Sequence, residues 1–396
     1  MEHNKLIFSK VPTLRFKEFS GEWEKIRLGS IIEEIKNYTS DFNKYPLYSF
    51  TIENGVTPKT DRYERNFLVT KDGDTFKIVP PNSFVMNPMN LRFGAINYSK
   101  VKIPVSVSGY YNIFEIENGK NNEFWSAYFL TKTAINLYNS VATGSLIEKK
   151  RVHFSQFIQL SFFVPSDVEK QKITRFLQLI ENRIAVQNKI ISKYETLIKG
   201  LSCDYFSKQP NHIAKLKDLI IKGKAGGTPS STVAEYYNGD IPFLSISDMT
   251  KQGKYVEFTE KHISENGLAN SSAWIVPSNS LILSMYASVG LVCINKVPLA
   301  TSQAMFSMML KDCDMLDYIY YYLKFFRETQ IHRLLETGTQ SNINADTVRD
   351  IEIPFYANIF VFVKTLQAIE IRLNNEKDML SRLMDLKTYL LSSLFI

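Results

Sequence analysis

The sequence predicts an α+β fold: two tandem, pseudo-symmetric mixed α/β domains combined with two long helices that form an antiparallel coiled coil. Three observations carry this expectation. A phrase is written twice, "VPPNSFVMNPMNLRFG" at Val79–Gly94 and "VPSNSLILSMYASVG" at Val276–Gly290. Each half of the chain closes with a long heptad pattern of apolar residues. Between these lie short runs rich in Val, Ile, Phe and Tyr, broken by Pro, Gly and Asn, as short strands and turns require.

The repeat extends beyond the opening phrase. "RLGSII" at Arg27–Ile32 matches "KLKDLI" at Lys215–Ile220, and "YPLYS" at Tyr45–Ser49 matches "IPFLS" at Ile241–Ser245. "VATGS" at Val141–Ser145 matches "LETGT" at Leu335–Thr339, and "FFVPS" at Phe162–Ser166 matches "IEIPF" at Ile351–Phe355. The offset drifts between 188 and 197 positions, as it does when loops vary in length on a kept scaffold. Such a period is the size of a domain, not of a solenoid repeat. The expected organisation is therefore residues 1–165, a first globular domain; 166–207, a first long helix; 208–355, a second globular domain; and 356–396, a second long helix.

In the first helix, Ile173, Leu177, Ile180, Ile184, Ile191 and Ile198 recur at heptad spacing, continued by Tyr194, Leu201 and Tyr205 and interrupted at Gln187. Ser166 followed by Glu169 reads as a capping box at its start, and Pro210 helps to end it. In the second helix the seam runs through Phe362, Leu366, Ile369, Leu373, Leu380, Leu383, Leu390 and Leu394, with breaks at Glu376 and Lys387. About 40 residues make a rod of roughly 60 Å. Each buried seam residue is worth about 1.5–3 kcal/mol, so two such stripes in one chain are expected to cover each other. "FWSAYFLTKTAINLYNSV" and "LDYIYYYLKFFRETQIHRLL" read as further helices; "KIPVSVSGYYNIFEI" and "GDIPFLSISDM" read as strands and turns.

With 396 residues the chain is long enough for two or three cores. Its formal charge of +7 and pI near 9.0 fit an anionic partner. The cysteines Cys203, Cys293 and Cys313 form no C-x-x-C pair, which fits a reducing compartment. "MEHNKLIFSK" is read as lacking a secretion signal, and the uncharged stretch Asn266–Asn295 holds Pro277, asparagines and serines in place of a membrane span. The expected location is the cytoplasm, with no membrane contact.

No catalytic constellation is legible. There is no G-x-x-x-x-G-K-[ST], G-x-G-x-x-G, H-E-x-x-H or G-x-S-x-G. His3, His153, His212, His262 and His332 are scattered without ligand spacing, so no metal site is expected. "FVMNPMN" lacks the second proline and the aromatic of an adenine-methyltransferase motif. Glu115 and Glu117 alternate along a strand pattern and are expected to face solvent.

Nucleic-acid chemistry does recur. Lys59, Arg62, Tyr63 and Arg65 in "PKTDRYERNF", and Lys149, Lys150 and Arg151 in "IEKKRVHF", are suited to phosphates. Asn90 and Arg92 in "NLRFG" suit adenine and guanine edges. In the second half, Lys222, Lys224, Thr228 and Ser230 supply donors around Gly226 and Gly227, whose amides are expected to approach an anion. Tyr286, in the repeated phrase, joins them, as do Thr339, Gln340 and Asn342 in "TGTQSNINAD".

The chain resembles the specificity subunits of Type I restriction-modification systems. "VPTLRFKEFSGEWEKIRLG" at Val11–Gly29 looks like their N-terminal opening, "GGTPSSTVAEYYNGDIPFLSISDM" at Gly226–Met249 like the start of a target recognition domain, and "VPSDVEKQKITRFL" at Val164–Leu177 like the start of their first conserved helix. Two departures stand out: "IPFYANIFVFVKTL" lacks the acidic-Gln opening of the second helix, and "IKNYTSDFNKY" replaces a "GGTP" loop in the first half. The resemblance implies two target recognition domains held apart by the coiled coil, each reading one part of a split asymmetric target in double-stranded DNA. It implies docking of two methyltransferase subunits on the helices, with restriction subunits joining. S-adenosylmethionine, ATP and magnesium would belong to those partners; this chain would be non-catalytic and need no cofactor. Half-sites about one helical turn apart, 34–36 Å, would be spaced by the rod. The alternatives are a stand-alone DNA methyltransferase or nuclease with degenerate motifs, and a scaffold for proteins alone.

Overall fold

The computed structural model describes residues 10–58, 76–146, 150–333 and 342–396. The chain folds into two compact units, Met1–Asn188 with Asp378–Ile396, and Lys189–Lys377. The long helices are Asp167–Phe206 and Ile359–Ser393, and each contributes one part to each unit.

The first unit opens with Glu24–Arg27 paired antiparallel to Ser161–Val164. An antiparallel four-stranded sheet follows in the order Ile32–Ile35, Asn112–Ile116, Phe84–Met86, Ile96–Tyr98. A three-stranded sheet of Tyr38–Thr39, Phe76–Val79 and Val105–Ser108 packs nearby, with the hairpin Tyr48–Thr51/Gly55–Pro58 beside it. The stretch read as one helix is two, Asn122–Phe129 and Lys132–Val141. Thr131 separates them and caps the second, its hydroxyl accepting from Ala134 N at 3.2 Å. Phe84, Phe114, Trp125, Tyr128, Phe129 and Phe162 form an aromatic core that also takes in Leu177 of the first long helix and Leu390, Leu394 and Phe395 at the end of the second.

The second unit repeats this plan. His212–Lys215 pairs with Glu352–Phe355, and the main sheet runs Ile220–Ala225, Met305–Leu310, Leu281–Ser284, Val292–Asn295, Tyr255–Val256. Only its last strand pairs in parallel. Equivalent hydrogen bonds fix both copies: Leu28 N donates to Leu160 O, and Leu216 N to Ile351 O, each at 2.9 Å. The twice-written phrase is one turn and one strand built twice. Asn82 and Asn279 both take the left-handed conformation, φ 66° and 58°, which asparagine tolerates, and strands Phe84–Met86 and Leu281–Ser284 follow. Part of "GDIPFLSISDM" departs from the strand expectation. Ile246–Gln252 is helical because Ser245 and Asp248 form a reciprocal capping box, Asp248 N to Ser245 Oγ at 3.1 Å and Ser245 N to Asp248 Oδ2 at 2.9 Å.

The helical segments run antiparallel within each unit. In the first, Lys387 pairs with Glu181 at 3.1 Å, which accounts for one polar break in the seam. In the second, Lys377 pairs with Glu195 at 3.0 Å, and the Tyr205 and Phe362 rings stack 3.8 Å apart. Ile173, Leu177, Ile191, Ile198, Leu366, Leu373 and Leu390 are buried; Ile180, Ile184, Ile369, Leu380 and Leu383 are half-buried. Gln187 is buried within the same stripe. The capping box at Ser166 is only half made. Ser166 Oγ accepts from Glu169 N at 3.4 Å, but the Glu169 carboxylate turns to Arg15, which grips it with Nε and Nη2 at 2.8 Å each. A bidentate, charge-assisted pair outweighs a single bond back to a backbone amide.

Candidate nucleic-acid interface

The main sheet of each unit ends in a loop that leaves the strand of the repeated phrase: Asn87–Gly94 after Phe84–Met86, and Met285–Gly290 after Leu281–Ser284. In each unit a later segment docks on that loop through the same hydrogen bond. Val152 N donates to Pro88 O at 3.0 Å in the first unit, and Ile343 N to Met285 O at 3.1 Å in the second. Both donor residues are fully buried and act as anchors. The structure thereby gathers sequence-distant candidates. Arg151 is exposed and, with Met89, Thr143, Gly144, Ser145 and His153, lines a depression of about 440 Å³; Asn90 is exposed next to Met89. Lys150 is half-buried beside Arg151. In the second unit the same arrangement puts Asn342, half-buried, next to the loop carrying Tyr286, which is 41% exposed.

Lys222 and Lys224 lie on the edge strand Ile220–Ala225, two residues apart and therefore on one face. Both are exposed, and Lys222 Nζ sits 4.2 Å from the centre of the Trp274 ring. Thr228 and Ser230 are exposed just beyond; Thr228 Oγ1 donates to Gln303, and Ser230 Oγ lies 2.8 Å from Thr232 Oγ1.

Three expectations are corrected. Gly226 and Gly227 present no free amides: Gly226 N donates to Met305 O at 3.1 Å and Gly227 N to Thr301 O at 2.9 Å, and both residues are buried. Glycine is needed there because a Cβ at Gly226 would meet Thr301 O at 2.0 Å, and one at Gly227 would meet Ser272 Oγ at 2.2 Å. Arg92 is 9% exposed, its guanidinium 5.1 Å from the Phe93 ring, so it belongs to the loop's support and not to its surface. Glu117 does not face solvent: it accepts from Lys170 Nζ at 2.8 Å and from Asn121 Nδ2 at 2.9 Å. Lys59, Arg62, Tyr63, Arg65, Lys149, Thr339 and Gln340 lie outside the described residues.

Sequence reading passed over Met89 and Phe93, large apolar side chains exposed on the first unit's loop. The repeat carried the signal, because the offset of the opening phrase sets Met89 against Tyr286. Among the described residues no three His, Cys, Asp or Glu side chains are grouped to hold a metal ion, and no helix is long and apolar enough to cross a membrane.

A family model described as the Type I restriction modification DNA specificity domain matches the chain twice, over residues 20–196 and 210–357. The chain belongs to this family. The matched ranges are the two copies traced above. The chain is 30% identical over 145 residues to the Type I restriction enzyme MjaIX specificity subunit of Methanocaldococcus jannaschii, covering 36% of this chain and 33% of that one. It is 33% identical over 160 residues to the HindI specificity subunit of Haemophilus influenzae, covering 39% and 34%. It thus spans about a third of the length of the curated relatives it matches. Its fold is similar to that of the Type I restriction-modification S subunit from M. genitalium, with TM-score 0.57, 13% identity, and 98% and 99% of the two chains covered. A chain from a structure on complex assembly and conformational transition of the type I R-M system gives TM-score 0.60 at 13% identity, covering 94% and 97%.

Proposed function

We propose that this chain is the DNA-recognition subunit of a Type I restriction-modification complex and that each unit reads one part of a split, asymmetric double-stranded target. The observation that carries this is the loop junction made twice, Val152 to Pro88 and Ile343 to Met285. The anchor is kept while the side chains around it differ: exposed Met89, Asn90 and Arg151 in one copy, exposed Tyr286 and half-buried Asn342 in the other. A kept scaffold with divergent tips is what two readers of different sequences need, since a few side chains read base edges while the rest only position. Lys150, Arg151, Lys222 and Lys224 supply phosphate contacts.

The paired helices dock two methyltransferase subunits, and restriction subunits join that assembly. The chain is non-catalytic and works in the cytoplasm; S-adenosylmethionine, ATP and magnesium are held by the partners. Supporting this are the free state of Cys203, Cys293 and Cys313 and apolar side chains such as Val168, Leu179 and Ile371 left exposed on the helices. The test is methyl transfer to DNA from labelled S-adenosylmethionine, with the purified chain alone and with the methyltransferase subunits added. No transfer by the chain alone and sequence-restricted transfer by the mixture is expected. Transfer by the chain alone would assign it the chemistry and overturn the reading.

A further inference from the structure

Each unit carries a third reader element, and we propose that in the second unit it places Gln303 on an adenine edge of the target. The inference rests on the DNA-recognition reading above. The strands Asn112–Ile116 and Met305–Leu310 are each preceded by the same serine-initiated turn. In the first unit Tyr111 N donates to Ser108 O at 3.2 Å and Tyr110 N to Ser108 Oγ at 3.4 Å. In the second, Met305 N donates to Ser302 O at 3.2 Å and Ala304 N to Ser302 Oγ at 3.3 Å. The backbone is repeated, but the two tip residues are Gly109–Tyr110 in one copy and Gln303–Ala304 in the other. Tyr110 and Gln303 are both exposed.

The turn of the second unit is tied to the reader loops already described. Ala304 O accepts from Met285 N at 2.7 Å and from Tyr286 N at 3.4 Å, and Met285 in turn accepts from Ile343. Gln303 therefore stands among the elements bearing Thr228, Tyr286 and Asn342. Thr228 Oγ1 donates to Gln303 Oε1 and fixes the amide's orientation. Among the described residues the amide has no other partner, which leaves one lone pair of that oxygen and both N–H groups for an outside one. An acceptor and a donor on one planar amide match adenine's N6 amino group and N7 in the major groove. In the first unit, Asn112 faces Met86 across the ladder, so the Gly109–Tyr110 tip lies at the end of the sheet where the Asn87–Gly94 loop leaves.

The experiment is selection and sequencing of DNA duplexes retained by the complex of the full chain with its methyltransferase subunits, for wild type and Gln303→Ala. Wild type is expected to enrich a two-part sequence. The variant should keep one part intact and lose adenine preference at one position of the other, with discrimination there falling about 5- to 150-fold. Thr228→Val, which removes the orienting donor and leaves the turn intact, should relax the same position by less; this keeps the test open if Gln303→Ala fails to assemble. An unchanged motif in both variants overturns the assignment while leaving DNA recognition standing, as does uniform weakening with preferences kept. Failure of wild type to enrich any sequence overturns the recognition reading itself, and the assignment with it.

Discussion

Replacing Lys254 with methionine is expected to loosen the second unit more than any surface change. Lys254 is only 10% exposed, and its ammonium donates to Asp317 Oδ1 and Glu370 Oε2, both at 2.9 Å, and to the Tyr321 hydroxyl at 2.8 Å. The ring of Tyr321 lies 4.2 Å from the same nitrogen. Burial by itself would push the lysine's pKa down, but Glu370 and Asp317 outweigh it, and Lys254 titrates above its ordinary 10.5. Methionine fills the volume but leaves two carboxylates facing each other, still held by Tyr321 on Glu370 and by Gln367 on Asp317. Removing one member of a buried ion-pair group costs about 3–5 kcal/mol. For a unit of this size that lowers the melting temperature by roughly 6–20 °C. Calorimetry measures the shift, and hydrogen exchange should localise it to Leu316–Thr329 and the start of the second long helix. The triple variant Lys254→Met, Asp317→Asn, Glu370→Gln should recover most of the loss. The sign with pH follows from the raised pKa: the contribution is complete below about 10.5 and disappears as pH rises through the folded value. The gap between wild type and Lys254→Met should therefore be flat from pH 6 to 9 and close in strong alkali. A shift under about 2 °C, or a triple variant as unstable as the single, would refute the electrostatic account.

Three further outcomes are expected. Leu366→Ala, at a fully buried seam position, should cost about 2–5 kcal/mol, whereas Ile371→Ala, 63% exposed on the same helix, should stay within about 0.5 kcal/mol by chemical denaturation. Gly226→Ala should destabilise the second unit by at least about 1–3 kcal/mol, because its Cβ meets a backbone carbonyl; a stable variant that lost only DNA affinity would restore the anion-cradle role. Arg151→Ala and Lys224→Ala should leave stability unchanged and each lower the salt slope of DNA binding by about one, as measured by anisotropy over a salt series; an unchanged slope would remove that residue from the interface.

The repeated phrase and the heptad seams were legible because each rests on local spacing. A left-handed asparagine before a buried strand recurs wherever that turn recurs, and a stripe such as Ile173–Leu177–Ile180 announces its face without reference to a partner. What sequence reading missed depends on residues far apart in the chain. Glu169 is claimed by Arg15, 154 positions away, so its capping role is only half realised. Lys254 meets Asp317 and Glu370 at separations of 63 and 116 positions, which no local pattern reports. The glycine pair misled for a related reason: Gly226–Gly227 signals close backbone approach, but the approaching group is the chain's own Thr301 and Ser272, not an anion. Residue type also says nothing of exposure: among candidate readers, Arg151 and Tyr286 are exposed, but at Arg92 the loop turns the guanidinium against Phe93.

The most direct measurement is the methylated target of a chimera in which residues 208–355 are replaced by the matching stretch of another family member, assembled with the methyltransferase subunits proposed above and read by sequencing of modified adenines. One part of the bipartite target should change and the other should stay as in the parent. A target altered in both parts, or in neither, would contradict two independent readers in one chain.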